Sequence, residues 1–145
     1  MAYVQLLRAV SRAASGAAGV LSLVLLTSCE DGVTNPSHLG GEWRLETLRG
    51  PDGAQTPPPA TGTFTVRFEA DGQVFVRADC NGCGGRYTLG GDTVTVSQLA
   101  CTLILCPNAP FDQRYLSILD GDSSFDLQGD VLTIQSARGM LQFRR

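Results

Sequence analysis

The side chains whose types and spacing suggest chemistry at a shared site are four cysteines: Cys80 and Cys83, separated by Asn81-Gly82, and Cys101 and Cys106, separated by Thr102-Leu103-Ile104-Leu105. Three kinds of chemistry suit such a set. Four thiolates in two short pairs resemble the ligand spacing of a tetrahedral zinc site. A Cys-x-x-Cys pair serves thiol–disulfide exchange when a helix start lowers the pKa of its first thiol. The third possibility is two structural disulfides. The stretch Cys80-Asn81-Gly82-Cys83-Gly84-Gly85 reads as a glycine-rich turn between strands, where no helix start would activate a thiol. Zinc and disulfides are separated by the compartment in which the chain resides.

The first residues address that compartment. Arg8 and Arg12 precede an apolar run from Ala13 to Leu26, the pattern of a signal peptide. That run is about 14 residues long, short of the roughly 20 a membrane-spanning helix needs. Leu26-Thr27-Ser28-Cys29 resembles the bacterial lipobox, so residues 1–28 are expected to be removed and Cys29 to carry lipid. The plain alternative is a secretory signal with a fortuitous cysteine. Residues 29–39 then form a lipidated cysteine and a polar, turn-rich tether, and residues 40–145 one folded domain. Export places the thiols where disulfides persist, and the four pair without remainder once Cys29 bears lipid. Structural disulfides are therefore favoured over zinc or a working redox pair.

Composition excludes several functions. All 11 basic residues are arginine, so there is no lysine for a Schiff base, and the single histidine, His38, lies in the tether, from which a Ser-His or Cys-His nucleophile pair would have to borrow it. Without Arg8 and Arg12 the exported chain keeps nine arginines against 14 acids, which gives no basic patch for nucleic acid. The late acids Asp120, Asp122, Asp126 and Asp130 lack the spacing and terminal glutamate of an EF-hand and read as solvated turn carboxylates. Nothing places two carboxylates in one cleft for glycoside hydrolysis. The glycines at 82, 84, 85, 90 and 91 have no following lysine and form no phosphate loop. No catalytic residue, metal site or cofactor is expected.

The folded part alternates with a period of two between closely spaced turn signals, as an all-β domain does. In the first strand Trp43, Leu45 and Thr47 share a face opposite Arg44 and Glu46. The proline-rich stretch 51–62 is expected to be an exposed loop. Phe64, Val66 and Phe68 point inward ahead of a hairpin turn at Asp71-Gly72, and Gln73 to Ala78 return. Strands follow at Arg86 to Leu89 and Thr93 to Ser97. Pro110 opens a helix in which Phe111, Tyr115, Leu116, Ile118 and Leu119 make an apolar side, and Gly121 ends it. Phe125 and Leu127, Leu132 and Ile134, and Leu141 and Phe143 mark the last strands. About eight short strands and one helix before the last of them predict a small antiparallel barrel or half-barrel, since closure removes exposed edges. The helix is placed to plug one end.

The order of these landmarks resembles the META domain family, that of HslJ-like bacterial lipoproteins. The resemblance rests on Trp43 and Leu45, Phe68 to Gly72, Cys80-Asn81 followed by Gly85 and Tyr87, then Thr102 and Cys106 ahead of a helix with Tyr115, Leu116 and Leu119, and a final strand with Leu141 and Phe143. It covers about residues 40 to 145. It implies a β-rich, barrel-like envelope domain, lipid-anchored in many members, without an established enzymatic activity and associated with stress tolerance. Cys83 and Cys101 are additional to the family pattern. Because Cys80 and Cys106 carry the family match, the resemblance implies Cys80 joined to Cys106 and Cys83 to Cys101. Local pairing within each short motif is the alternative.

The expectation is a non-enzymatic cell-envelope lipoprotein, facing the periplasm or the cell surface, held to the membrane through Cys29 and acting on an envelope protein partner or in stress tolerance. The alternative is a carrier of a small hydrophobic ligand in the barrel interior. A thiol oxidoreductase is the third reading. An open apolar cavity would favour the carrier, and a filled core with an exposed apolar patch would favour partner binding.

Overall fold

The computed structural model describes residues 39–145. The expected signal peptide, Cys29, His38 and all of the tether before Leu39 lie outside the described residues.

Among the described residues nine strands and one helix follow in the order β1 (Gly41–Arg49), β2 (Gln55–Thr56), β3 (Phe64–Phe68), β4 (Gln73–Ala78), β5 (Asn81–Gly90), β6 (Thr93–Cys101), α1 (Ala109–Leu119), β7 (Gly121–Gln128), β8 (Val131–Ser136) and β9 (Gly139–Arg144). Successive strands from β3 to β9 pair antiparallel, β1 pairs with β3, and β1 also pairs with β9. Eight strands therefore close into a barrel, and β2 lies outside the ring on the end of β1. The expected barrel is present and fully closed. The proline-rich stretch departs from expectation only at Gln55–Thr56, whose backbone borrows an edge at Leu48 and Arg49.

Trp43, Val66, Phe68, Leu132, Ile134, Leu141 and Phe143, each no more than 1% exposed, fill the interior. An eight-stranded barrel is just wide enough for its own side chains to do this. The alternation that predicts the inward face is broken once in β1. A bulge between Leu45 and Thr47 shifts the phase, so that Leu48 is buried and Thr47 only half-buried.

The glycine-rich stretch after Cys80 is also reassigned. It is the first half of β5, not a turn, and the turn is the two-residue Asp79-Cys80 joining Ala78 to Asn81, with Asp79 at φ 57°. Neighbouring strands on both sides overrode the poor strand propensity of glycine. At Gly85 a bulge brings β6 so close that a Cβ would lie 2.8 Å from the Ser97 carbonyl oxygen and 3.2 Å from the Leu99 Cα. Likewise Asp122 and Asp126 stand on the exposed face of β7 and not in turns.

The helix plugs one end of the barrel. Phe111, Tyr115, Ile118 and Leu119 are buried, and the Phe64 ring meets Phe111 and Tyr115 edge-on, with centroids 4.8 and 5.6 Å apart. Arg138 donates to the carbonyls of Ser117 and Asp120 at the helix end, satisfying acceptors that the last turn leaves open.

The strand directions place the landmarks. The end of β1 and the starts of β3 and β5 share one rim with the end of β6, the start of β9 and α1. The start of β1 and the ends of β3 and β9 lie on the other rim. There Leu39 is buried, and its carbonyl accepts the Trp43 indole N–H at 2.8 Å. The described chain thus enters the barrel at the rim opposite the helix.

Candidate functional site

The helical rim is where the cysteines meet. Cys83 and Cys101 face each other across β5 and β6 with Cα atoms 4.0 Å apart and are joined by a disulfide. Cys80, in the turn before β5, is joined to Cys106, with Cα atoms 5.7 Å apart. All four sulfurs are thereby paired in disulfides. Among the described residues no group of three or more His, Cys, Asp or Glu side chains is placed to hold a metal ion.

The bridges enclose residues 102–105, and Asn81 organises that loop from beneath. Its carboxamide oxygen accepts from the Thr102 hydroxyl and the Ile104 N–H, each at 2.9 Å. Its amide nitrogen donates to the Ile104 carbonyl at 3.0 Å and to Cys106 Sγ at 3.1 Å. Thr102 in turn accepts from the Gly82 N–H at 3.1 Å and donates its own N–H to the Gly82 carbonyl at 3.0 Å. Asn81, 8% exposed, has its polar atoms well used. Nearby, the buried Asp79 carboxylate accepts the backbone and side-chain N–H groups of Asn108 at 3.0 and 3.1 Å. That ties the turn before β5 to the residue that opens α1.

A loop held so firmly exposes apolar side chains. Leu103 is 97%, Leu105 93% and Ile104 58% exposed, three successive aliphatics whose aversion to water is not relieved within the domain. Between this loop and α1 runs an open cleft of about 290 Å³, lined by Leu103, Ile104, Leu105, Asp112, Gln113 and Leu116 among others. Asp112 is buried, and among the described residues its Oδ1 is sealed from solvent and has no hydrogen-bond partner.

The other residues singled out from the sequence are not part of this cleft. Gly85 sits at the bulge, and Tyr87 lies toward the opposite rim, where its hydroxyl donates to the Glu69 carbonyl at 2.8 Å and its ring meets Phe68 edge-on. Burial, reinforced by the Asp71 and Glu69 carboxylates, raises the Tyr87 pKa. A shallow groove over β3 to β5 is lined by Arg67, Phe75 and Arg77, but the Arg67 guanidinium already stacks on Phe75 and pairs with Glu69 at 3.1 Å. Sequence reasoning passed over Leu103, Ile104, Leu105 and Asp112. The available signal was three consecutive aliphatics between two cysteines, a run that fits neither strand alternation nor the helix.

A closed antiparallel barrel with one end plugged by a helix and stapled by cysteines defines a small extracytoplasmic β-barrel domain. The META domain family matches residues 37–145, and the chain belongs to that family. The solution structure of a Burkholderia xenovorans protein is similar with a TM-score of 0.62 and 20% identity, over 77% of this chain and 88% of that one. A lipocalin-like protein from Bacteroides uniformis is similar with a TM-score of 0.50 and 20% identity, over 74% of this chain and 97% of that one. These likenesses show the fold. Among curated proteins none matches the chain. Two disulfides fit an oxidising compartment outside the cytoplasm, and among the described residues no helix is long and apolar enough to cross a membrane.

Proposed function

We propose that this META domain is a non-enzymatic binding module of the bacterial cell envelope, anchored by lipid on Cys29, which engages a protein partner through the stapled rim. The observation that carries the reading is the rigid display of Leu103, Ile104 and Leu105 in water. Exposed contiguous aliphatics are costly unless something covers them. Here the molecule spends two disulfides and a buried asparagine on holding them out.

The alternative, a carrier with its ligand inside the barrel, draws support from the lipocalin-like neighbour. It would require room that Trp43, Tyr115, Phe68 and Phe143 occupy. Titrating the domain with a fluorescent naphthylamine probe separates the two. Surface engagement predicts probe binding that Leu103→Ser with Leu105→Ser removes. Binding that survives those changes and is lost on filling the interior with Val94→Phe would favour the carrier. The anchor is tested separately, since Cys29→Ser should move the protein from the membrane to the soluble fraction.

A further inference from the structure

The stapled rim presents a second feature beside its aliphatics. Asp112 stands in the first turn of α1 and is 6% exposed. Its Oδ1 has neither solvent nor a hydrogen-bond partner among the described residues, a costly state for a carboxylate oxygen. The positive end of the helix relieves part of that cost, yet no donor among the described residues completes the site. Asp112 lines the same cleft as Leu103, Ile104, Leu105 and Leu116. No arginine lines the cleft, so it combines an apolar wall with a carboxylate oxygen that no donor among the described residues satisfies.

We propose that this cleft takes a peptide segment of a protein partner in which a lysine or arginine is flanked by large apolar side chains. The cation sits over Asp112, and the apolar side chains cover Leu103 to Leu105 and Leu116. Charge complementarity selects the cation, because a charge-assisted hydrogen bond is stronger than a neutral one. A lipid surface fits less well: residues 40–145 hold nine arginines against 12 acids, and anionic membranes attract basic segments, not acidic ones. The rim also points away from the end at which the chain enters the barrel. The proposal rests on the reading of the stapled rim as a binding surface.

The test uses the disulfide-bonded protein and two soluble peptides, Ser-Gly-Leu-Lys-Leu-Gly-Ser and the same peptide with glutamine for lysine, followed by NMR titration. The expected result is shifts at 102–106 and 109–116 and about 10-fold tighter binding of the lysine peptide, equivalent to about 1.4 kcal/mol. Asp112→Asn should abolish that preference while leaving the glutamine peptide's affinity unchanged. Leu103→Ser with Leu105→Ser should weaken both peptides. Equal affinity for the two peptides, or a preference that survives Asp112→Asn, overturns the role of Asp112 but leaves the binding surface standing. Shifts confined to other parts of the barrel, or no binding by either peptide, overturn both. Binding to phosphatidylglycerol vesicles that depends on Leu103 and Leu105 would assign the rim to a lipid surface, and self-association removed by the same changes would assign it to a second copy. Either outcome overturns the peptide proposal.

Discussion

The two rims of the barrel solve the same problem with different materials. At the entry rim Leu39 and Trp43 are buried, the indole N–H is satisfied by a backbone carbonyl, and the Arg145 guanidinium lies 4.5 Å from the indole centroid. Apolar groups there face inward under a polar cover. At the helical rim closure comes from α1, and the loop ahead of it is held by two covalent bridges and the Asn81 network. Its aliphatics face outward. A rim that needed only to be shut would follow the first pattern. The second spends bonds on keeping an unfavourable surface in one conformation, as preorganised binding surfaces do.

Opening the bridges should break this contrast most strongly. Replacing Cys80 and Cys106 by serine releases a closure across 26 residues, worth about 3 kcal/mol in the chain-entropy account. For a domain of this size that lowers Tm by about 15 °C. Calorimetry gives the shift, and hydrogen exchange should show 102–106 loosened well before the Trp43 rim. A melting temperature unchanged by the double replacement would mean that the rim does not depend on its staple.

A smaller effect is expected from Asn81→Ala, which leaves the Ile104 N–H and carbonyl without their partner. About 2 kcal/mol should be lost in urea unfolding, the penalty for stranding partly buried polar groups. The loop should lose order with both bridges intact, a change visible in relaxation of the 102–106 amides.

Alkali compares the rims through their tyrosines. Burial raises the pKa of Tyr115, on the buried side of α1, and of Tyr87, toward the entry rim, above the ordinary value of 10.0. Above that value the unfolded chain gives up protons that the folded chain keeps, so the stability these groups contribute is intact below pH 10 and is lost as pH rises. For Tyr115 the slope approaches about 1.4 kcal/mol per pH unit. Urea midpoints at pH 9 and pH 11 check this, and Tyr115→Phe should flatten the decline. The same substitution removes a buried hydroxyl that has no hydrogen-bond partner among the described residues, so it should cost little at neutral pH.

The smallest effect on stability belongs to the residues expected to matter most for binding. Leu103→Ser with Leu105→Ser should change the unfolding free energy by about 0.5 kcal/mol or less, because neither side chain is packed. A large loss in thermal melts would mean that these leucines support the fold and that their exposure is not a functional expense.

Much of the barrel was legible because strand alternation is a local code. Phe64, Val66 and Phe68, and Leu132 and Ile134, state their inward face by spacing alone. Where neighbouring strands intervened, the reading slipped. The bulge in β1 exchanged Thr47 for Leu48, and two flanking strands drew the glycines after Cys80 into β5. The cleft was illegible because Asp112 and Leu103 belong to different elements, and nothing in either segment indicates that the other lies beside it.

The sequence by itself determined an all-β chain with one helix, the inward residues of most strands and four cysteines near one another in the chain, since these follow from local periodicity and short separations. The family pattern added the pairing of the cysteines. Only the tertiary structure decided that β1 closes the ring with β9, that the described chain enters opposite the helix, and that three aliphatics stay exposed beside a carboxylate oxygen without a partner among the described residues. Those facts depend on which distant segments share a rim, and burial is a property of that assembly, not of any residue in it.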